Sequence, residues 1–145
     1  MKQILVGVDG SPGSRAAVDF AAKLARQTGR RLLLAYVAEP LASTDAGPQQ
    51  TDQELRMAAQ TLLDGLAQRT ALTGLGVDTA VLTGKVAETL ADAARTDRID
   101  FLVVGHRDLT IPGRVLLGSV AERLVQISPK PLLVLPAPGA AGRPQ

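Results

Sequence analysis

The chain has 145 residues, 46% hydrophobic and 21% charged, and its 16 basic residues against 14 acidic ones leave a formal net charge of +2. A single domain of this size buries about two thirds of its unfolded surface and folds without staples, and so even a charge balance gives no ground for nucleic-acid binding. Cysteine is absent, His106 is the single histidine and aromatic residues make up 2% of the chain, which excludes disulfides and thiolate chemistry, speaks against histidine metal clusters and triads, and leaves too few rings for base stacking.

The first apolar run, Ile4 to Val8, ends at Asp9-Gly10-Ser11-Pro12. Strands without polar alternation are covered on both faces, as in a parallel sheet. The run is too short for a signal peptide, and no stretch approaches the ~18 apolar residues of a membrane span. The cytoplasm is the expected compartment, with no membrane partner. Ser11 before Pro12 reads as an N-cap and first helical position. Ala17, Phe20, Ala21, Leu24 and Ala25 then recur at helical spacing, and Gly29 stops the helix.

A second strand is expected over Leu32–Val37, followed by a loop from Glu39 to Gln50 containing Pro40, Gly47 and Pro48. Thr51 and Glu54 have the capping-box spacing. They open a helix with Leu55, Ala58, Ala59, Leu62, Leu63 and Leu66 as its stripe, running to about Leu72. Val77–Leu82 is the third strand. A short helix follows with Val86, Leu90 and Ala94 inward, then a fourth strand over Asp100–Gly105. His106 to Leu117 reads as a loop, and Ser119 with Glu122 as a second capping box opening a helix to Ile127. Pro131–Leu135 is the fifth strand. The Pro-, Gly- and Ala-rich tail, 137–145, is expected to be disordered.

This alternation implies an α/β fold: a single domain over residues 1–136, with an open parallel five-stranded sheet and helices on both faces, Rossmann-like. Ligands of such sheets bind beyond the carboxyl ends of the strands, where strand order reverses. The groups at those ends are Asp9-Gly10-Ser11, Val37 and Gly105-His106-Arg107-Asp108, with Gly118-Ser119 at a helix start where free N–H groups favour an anion.

At these residues the chain resembles the universal stress protein family. VGVDGS near the start, GHRD, LLGSVAERL and SPKPLLVLP carry the resemblance, which runs from about Lys2 to Pro136. The family's nucleotide-binding branch has a motif of glycine, two residues, glycine, nine residues, glycine, then serine or threonine. Gly105, Gly118 and Ser119 stand at that spacing, and the motif's second glycine falls on Asp108.

The resemblance implies that Asp9, Gly10 and Val37 line the adenosine part of a site. It implies that Gly105, Arg107 and the turn at Asp108 wrap the phosphates, with Gly118, Ser119 and Val120 binding phosphate oxygens. ATP with Mg2+ is the implied ligand, and a homodimer through Leu132–Leu135 the implied assembly. Each position also has a structural reading. Ser119 caps a helix, Asp9 closes an Asx-turn, Gly105 ends a strand, and Arg107 and Arg114 are solvated. Lys85 after Gly84 completes no Walker motif.

Two readings therefore stand: a nucleotide-binding regulatory protein with little or no turnover, and a nucleotide-free dimer acting through protein contacts. The carboxylate of Asp108 in a glycine's place favours the second, because like charges ~4 Å apart repel by ~4 kcal/mol at an effective dielectric near 20. No catalytic residue or metal ligand is assigned; a pyrophosphatase or nucleotidyl transferase would need loop glycines or a histidine pair that the chain lacks.

Overall fold

A computed structural model describes residues 2–39, 48–105, 110–111, 114–115 and 119–136. In chain order these form β1 (Gln3–Gly7), α1 (Pro12–Thr28), β2 (Arg31–Ala38), α2 (Pro48–Ala71), β3 (Val77–Thr83), α3 (Val86–Ala93), β4 (Ile99–Gly105), β5 (Thr110–Ile111), β6 (Arg114–Val115), α4 (Ser119–Ile127) and β7 (Leu132–Leu135). The tail 137–145 lies outside the described residues.

The apolar runs become one five-stranded sheet in the order β3-β2-β1-β4-β7, with every neighbouring pair parallel. Ile4, Leu5 and Val6 of the central strand are wholly buried, as expected of a strand covered on both faces. Alternate residues point to opposite layers. Ile4, Val6, Leu32, Leu34 and Val103 pack with α1 and α2, while Leu5, Ala35, Leu102 and Val104 pack with α3 and α4.

Local signals account for most boundaries. The Ser11 side chain accepts from the Ser14 N–H at 3.2 Å, and Gly29 closes α1 in the left-handed conformation at φ 69°. Three expectations are corrected. Helix α2 begins at Pro48 rather than after Thr51, since proline's fixed φ suits a first helical turn, so Thr51 is an interior residue and not a cap. Helix α4 includes Ser119 as its first residue instead of leaving it outside as a cap. The segment read as a plain loop contains the antiparallel pair β5–β6, Thr110 opposite Val115 and Ile111 opposite Arg114.

Two helix faces also differ from the expected stripes. Phe20 is 42% exposed, and Val18 takes the wholly buried place on α1. The inward stripe is of small residues, Gly13, Ser14, Ala17, Ala21, Ala22 and Ala25 around Val18, which lets the helix lie close to the sheet. On α2, Ala59, Leu63 and Leu66 are buried, whereas residues 53–58 are exposed, so the helix outruns the body it packs on. Among the described residues no helix is long and apolar enough to cross a membrane.

The amino ends of β1 and β4 carry a charged cluster. Arg30 Nε donates to Asp100 Oδ2 at 2.8 Å, its guanidinium lies 5.1 Å from the Phe101 ring centre, and Lys2 sits 4.0 Å from Asp100. Lys130 Nζ donates to the carbonyls of Thr96, at 2.8 Å, and Ile99. The hydrogen bond from Arg30, helped by the charges of Arg30, Lys2 and Lys130, holds the Asp100 carboxyl below its ordinary value. The unfolded chain then binds the proton more readily. This contribution to stability is present above the ordinary carboxylate pKa of about 3.9 and is lost as pH falls through the folded value. Acid titration of the melting temperature should show Asp100→Asn with a shallower acid limb than the parent; identical acid limbs would contradict this.

Candidate functional site

Strand order reverses between β1 and β4: the chain runs outward from β1 through β2 to β3, then returns to β4 on the other side of β1. The connections leaving the carboxyl ends of β1 and β4 lead to helices on opposite faces of the sheet, α1 on one and α4 on the other, as in other doubly wound sheets. A cavity of about 310 Å³ opens at that point. Gly7, Val8 and Asp9 line it from β1, Tyr36, Val37, Ala38 and Glu39 from β2, and Val104 and Gly105 from β4. Ser11 and Ser14 contribute from the start of α1, Leu55 from α2, Val86 and Leu90 from α3, and Val120 and Ala121 from α4.

The turn from β1 into α1 is tied by its own side chains. The Ser11 N–H donates to Asp9 Oδ1 at 2.9 Å, which is the Asx-turn the sequence offers. The hydroxyl of Ser14, a residue only 3% exposed, donates to the Ser11 carbonyl at 3.0 Å. Both wall serines therefore serve the helix start. Asp9 is held at the cavity wall by the backbone that follows it. Gly10 is off the wall, in the left-handed region at φ 83°, where a side chain would be strained, and a Cβ there would face Leu62 at 3.4 Å.

Gly105 has a packing reason of its own. A Cβ on it would lie 2.2 Å from the Gly13 carbonyl oxygen and 2.3 Å from the Gly13 carbonyl carbon. The end of β4 and the first turn of α1 thus meet backbone to backbone. The close approach expected of a ligand at this glycine is made in the structure by Gly13, while Gly105 also lines the cavity.

Of the residues singled out by sequence, Asp9, Val37, Gly105 and Val120 come together on one wall. Ser119 is the exposed first residue of α4, directly before Val120. Arg107 and Gly118 lie outside the described residues, as do His106 and Asp108. Sequence reading missed Tyr36, directly before Val37, and Glu39, two residues after it, although the strand-end rule covers them equally. It missed Val86 and Leu90 for a different reason: their spacing is that of an ordinary core stripe.

Chemically, the lining is largely aliphatic, with the polar residues Asp9, Ser11, Ser14, Tyr36 and Glu39 among it. Apolar walls with a few convergent polar groups suit a small organic ligand, for which cavities start near 300 Å³. Among the described residues no three His, Cys, Asp or Glu side chains group as a metal site.

The sequence model of the Universal stress protein family matches residues 1–136. The chain belongs to the universal stress protein family. A universal stress protein of Thermus aquaticus is 31% identical over 135 residues, spanning 92% of this chain and 98% of that protein. A crystal structure of a universal stress protein family member from Burkholderia pseudomallei matches with a TM-score of 0.79 at 29% identity, over 94% of this chain and 96% of that one. A universal stress protein in complex with cAMP matches with a TM-score of 0.70 at 27% identity, over 94% of this chain and 97% of that one.

Proposed function

We propose that this universal stress protein is a regulatory protein that binds an adenine nucleotide in the cavity at the carboxyl ends of β1, β2 and β4, with little or no turnover. The observation that carries the reading is the placement of Asp9 and Val37, the residues the family resemblance assigns to the adenosine, on the wall of a ligand-sized cavity at the reversal of strand order. The cAMP complex of a 27% identical relative supports it. Binding without turnover suits a wall whose serines are engaged in turn hydrogen bonds. When the ligand is ATP with Mg2+, the phosphates fall to Gly105, Arg107, Gly118, Ser119 and Val120, the residues of the glycine motif.

We also propose a homodimer through β7. That strand pairs with β4 on one side and ends the sheet on the other, with Leu132–Leu135 half-buried. Such an edge is a template for a second strand. The nucleotide-free reading rests on Asp108 in the place of a motif glycine.

One set of samples tests both proposals. Saturating adenosine, AMP, cAMP or Mg-ATP should raise the melting temperature, because a ligand at 100 times its Kd adds about 2.7 kcal/mol. Light scattering should give twice the chain mass. If none of the ligands shifts melting or produces heat on titration, nucleotide binding is refuted and the nucleotide-free dimer remains; a monomer at high concentration refutes the dimer.

A further inference from the structure

We infer that two exposed apolar side chains, Phe20 of α1 and Val125 of α4, are the anchors that hold a second copy of this chain at the open edge of β7, one on each face of the sheet. The inference rests on the dimer reading above and names the side chains that close its interface.

Strand pairing alone is too small for that assembly. Strand β7 has 4 residues, Leu132–Leu135, whereas a stable interface engages about 20–30 residues from each side. The surface beside the strand has to supply the rest. Leu133 and Leu135 pack with the α1 layer, Leu132 and Val134 with the α3 and α4 layer, and all four are half-buried. The edge is therefore apolar on both faces.

The helix beside that edge on each face turns an apolar side chain toward it. Both α1 and α4 touch β7, while α2 and α3 pack on β2 and β3. Asp19 and Arg26 of α1 bond to Arg69 of α2 and to Thr73 just beyond it, which marks the side of α1 that faces α2. Phe20 leaves the helix about 100° round from Asp19, on the side away from α2. On the other face, Arg123 of α4 pairs with Glu88 of α3 at 3.3 Å. Val125 leaves α4 about 200° round from Arg123, away from α3. Because β7 ends the sheet beyond β4, away from α2 and α3 means toward the open edge. Phe20 is 42% and Val125 63% exposed.

Two copies whose β7 strands pair antiparallel share a twofold axis through the sheet, so like faces lie on like sides. Each Phe20 then covers the half-buried Leu133 and Leu135 at the joint, and the two Val125 side chains flank the joint on the other face. Aromatic and aliphatic anchors of this kind form the desolvated centre of an interface.

The test is sedimentation of the full chain over a dilution series, beside Phe20→Ser, Val125→Ser and two control variants, Met57→Ser and Leu72→Ser. The controls are 64% and 87% exposed and belong to α2 and its end, over the opposite side of the sheet. Phe20→Ser should raise the dimer dissociation constant at least about tenfold and Val125→Ser about fivefold, since a twofold axis repeats every contact. The controls should leave it unchanged. All four side chains are exposed, so melting of the diluted variants should match the parent and verifies that each is folded. A dimer indifferent to Phe20→Ser and Val125→Ser overturns the inference and leaves the dimer reading standing. So does an effect confined to one face, or equal weakening by all four variants. If the parent is a monomer at high concentration, the dimer reading itself has failed.

Discussion

Gly105→Ala should lower stability by about 3 kcal/mol, the upper part of the range for overpacking, and melting by about 10 °C for a domain of this length. A methyl group there meets the Gly13 carbonyl at 2.2 Å and the Ser14 nitrogen at 2.8 Å. Both are backbone atoms of the first turn of α1, so no side-chain rotation relieves the overlap; α1 has to move off β4. The sheet, the buried Ser14 and the cavity wall all shift with it. Gly65→Ala is the internal contrast. Gly65 is an exposed position inside α2 where a Cβ meets nothing within 4 Å, so alanine there should stabilise by about 0.5–1 kcal/mol. Equal melting temperatures for the two variants would refute the backbone contact at Gly105.

Leu90→Ala is the second large effect, a loss of about 3 kcal/mol, within the usual range for a buried leucine. Leu90 is 1% exposed in the core layer of α3 and α4, and it also lines the cavity. Its removal both empties core volume and enlarges the ligand space, so the site and the fold draw on the same side chain. Gly7 provides the check. A Cβ at Gly7 would lie 2.8 Å from Leu90 Cδ1 and 3.3 Å from Val104 Cγ1. Gly7→Ala alone should therefore destabilise by about 1–3 kcal/mol. In the double variant the new methyl group enters the space Leu90 has left. Denaturant unfolding should find the double variant less destabilised than the sum of the singles, by at least about 0.5 kcal/mol. Strict additivity would contradict the contact.

The strands and helix ends were legible wherever a local device sets them. Ile4 to Val8 announced a strand buried on both faces, and Ser11-Pro12 and Gly29 bracketed α1. Those signals act within a few residues, and one sequence displays them. Strand order is different in kind: β1 lies between β2 and β4 because of contacts between distant segments, and no periodicity encodes that choice. Phe20 shows the same limit on a smaller scale. Helical spacing placed it on the inward stripe, but a stripe of alanine and glycine packs closer to a sheet and turns the phenylalanine outward. At the site, Asp9, Val37, Gly105 and Val120 were legible through strand ends and motif spacing. Leu55, Val86 and Leu90 were not, because a helix residue becomes a cavity wall only through how its helix is laid across the sheet.

The central pairing of the sheet joins the first strand synthesised to one made only after about two thirds of the chain. Gln3 of β1 is paired with Ile99 of β4, while its other neighbour, Arg31, emerges soon after it. A growing chain can form β1, β2 and β3 with α1 and α2 as a half-sheet, but the apolar flank of β1 stays open until β4 has left the ribosome. Long-range parallel pairing is slow, and an open strand edge invites intermolecular association. Production of this protein should therefore be sensitive to translation speed and to chaperone supply, and chains truncated before β4 should be prone to aggregate.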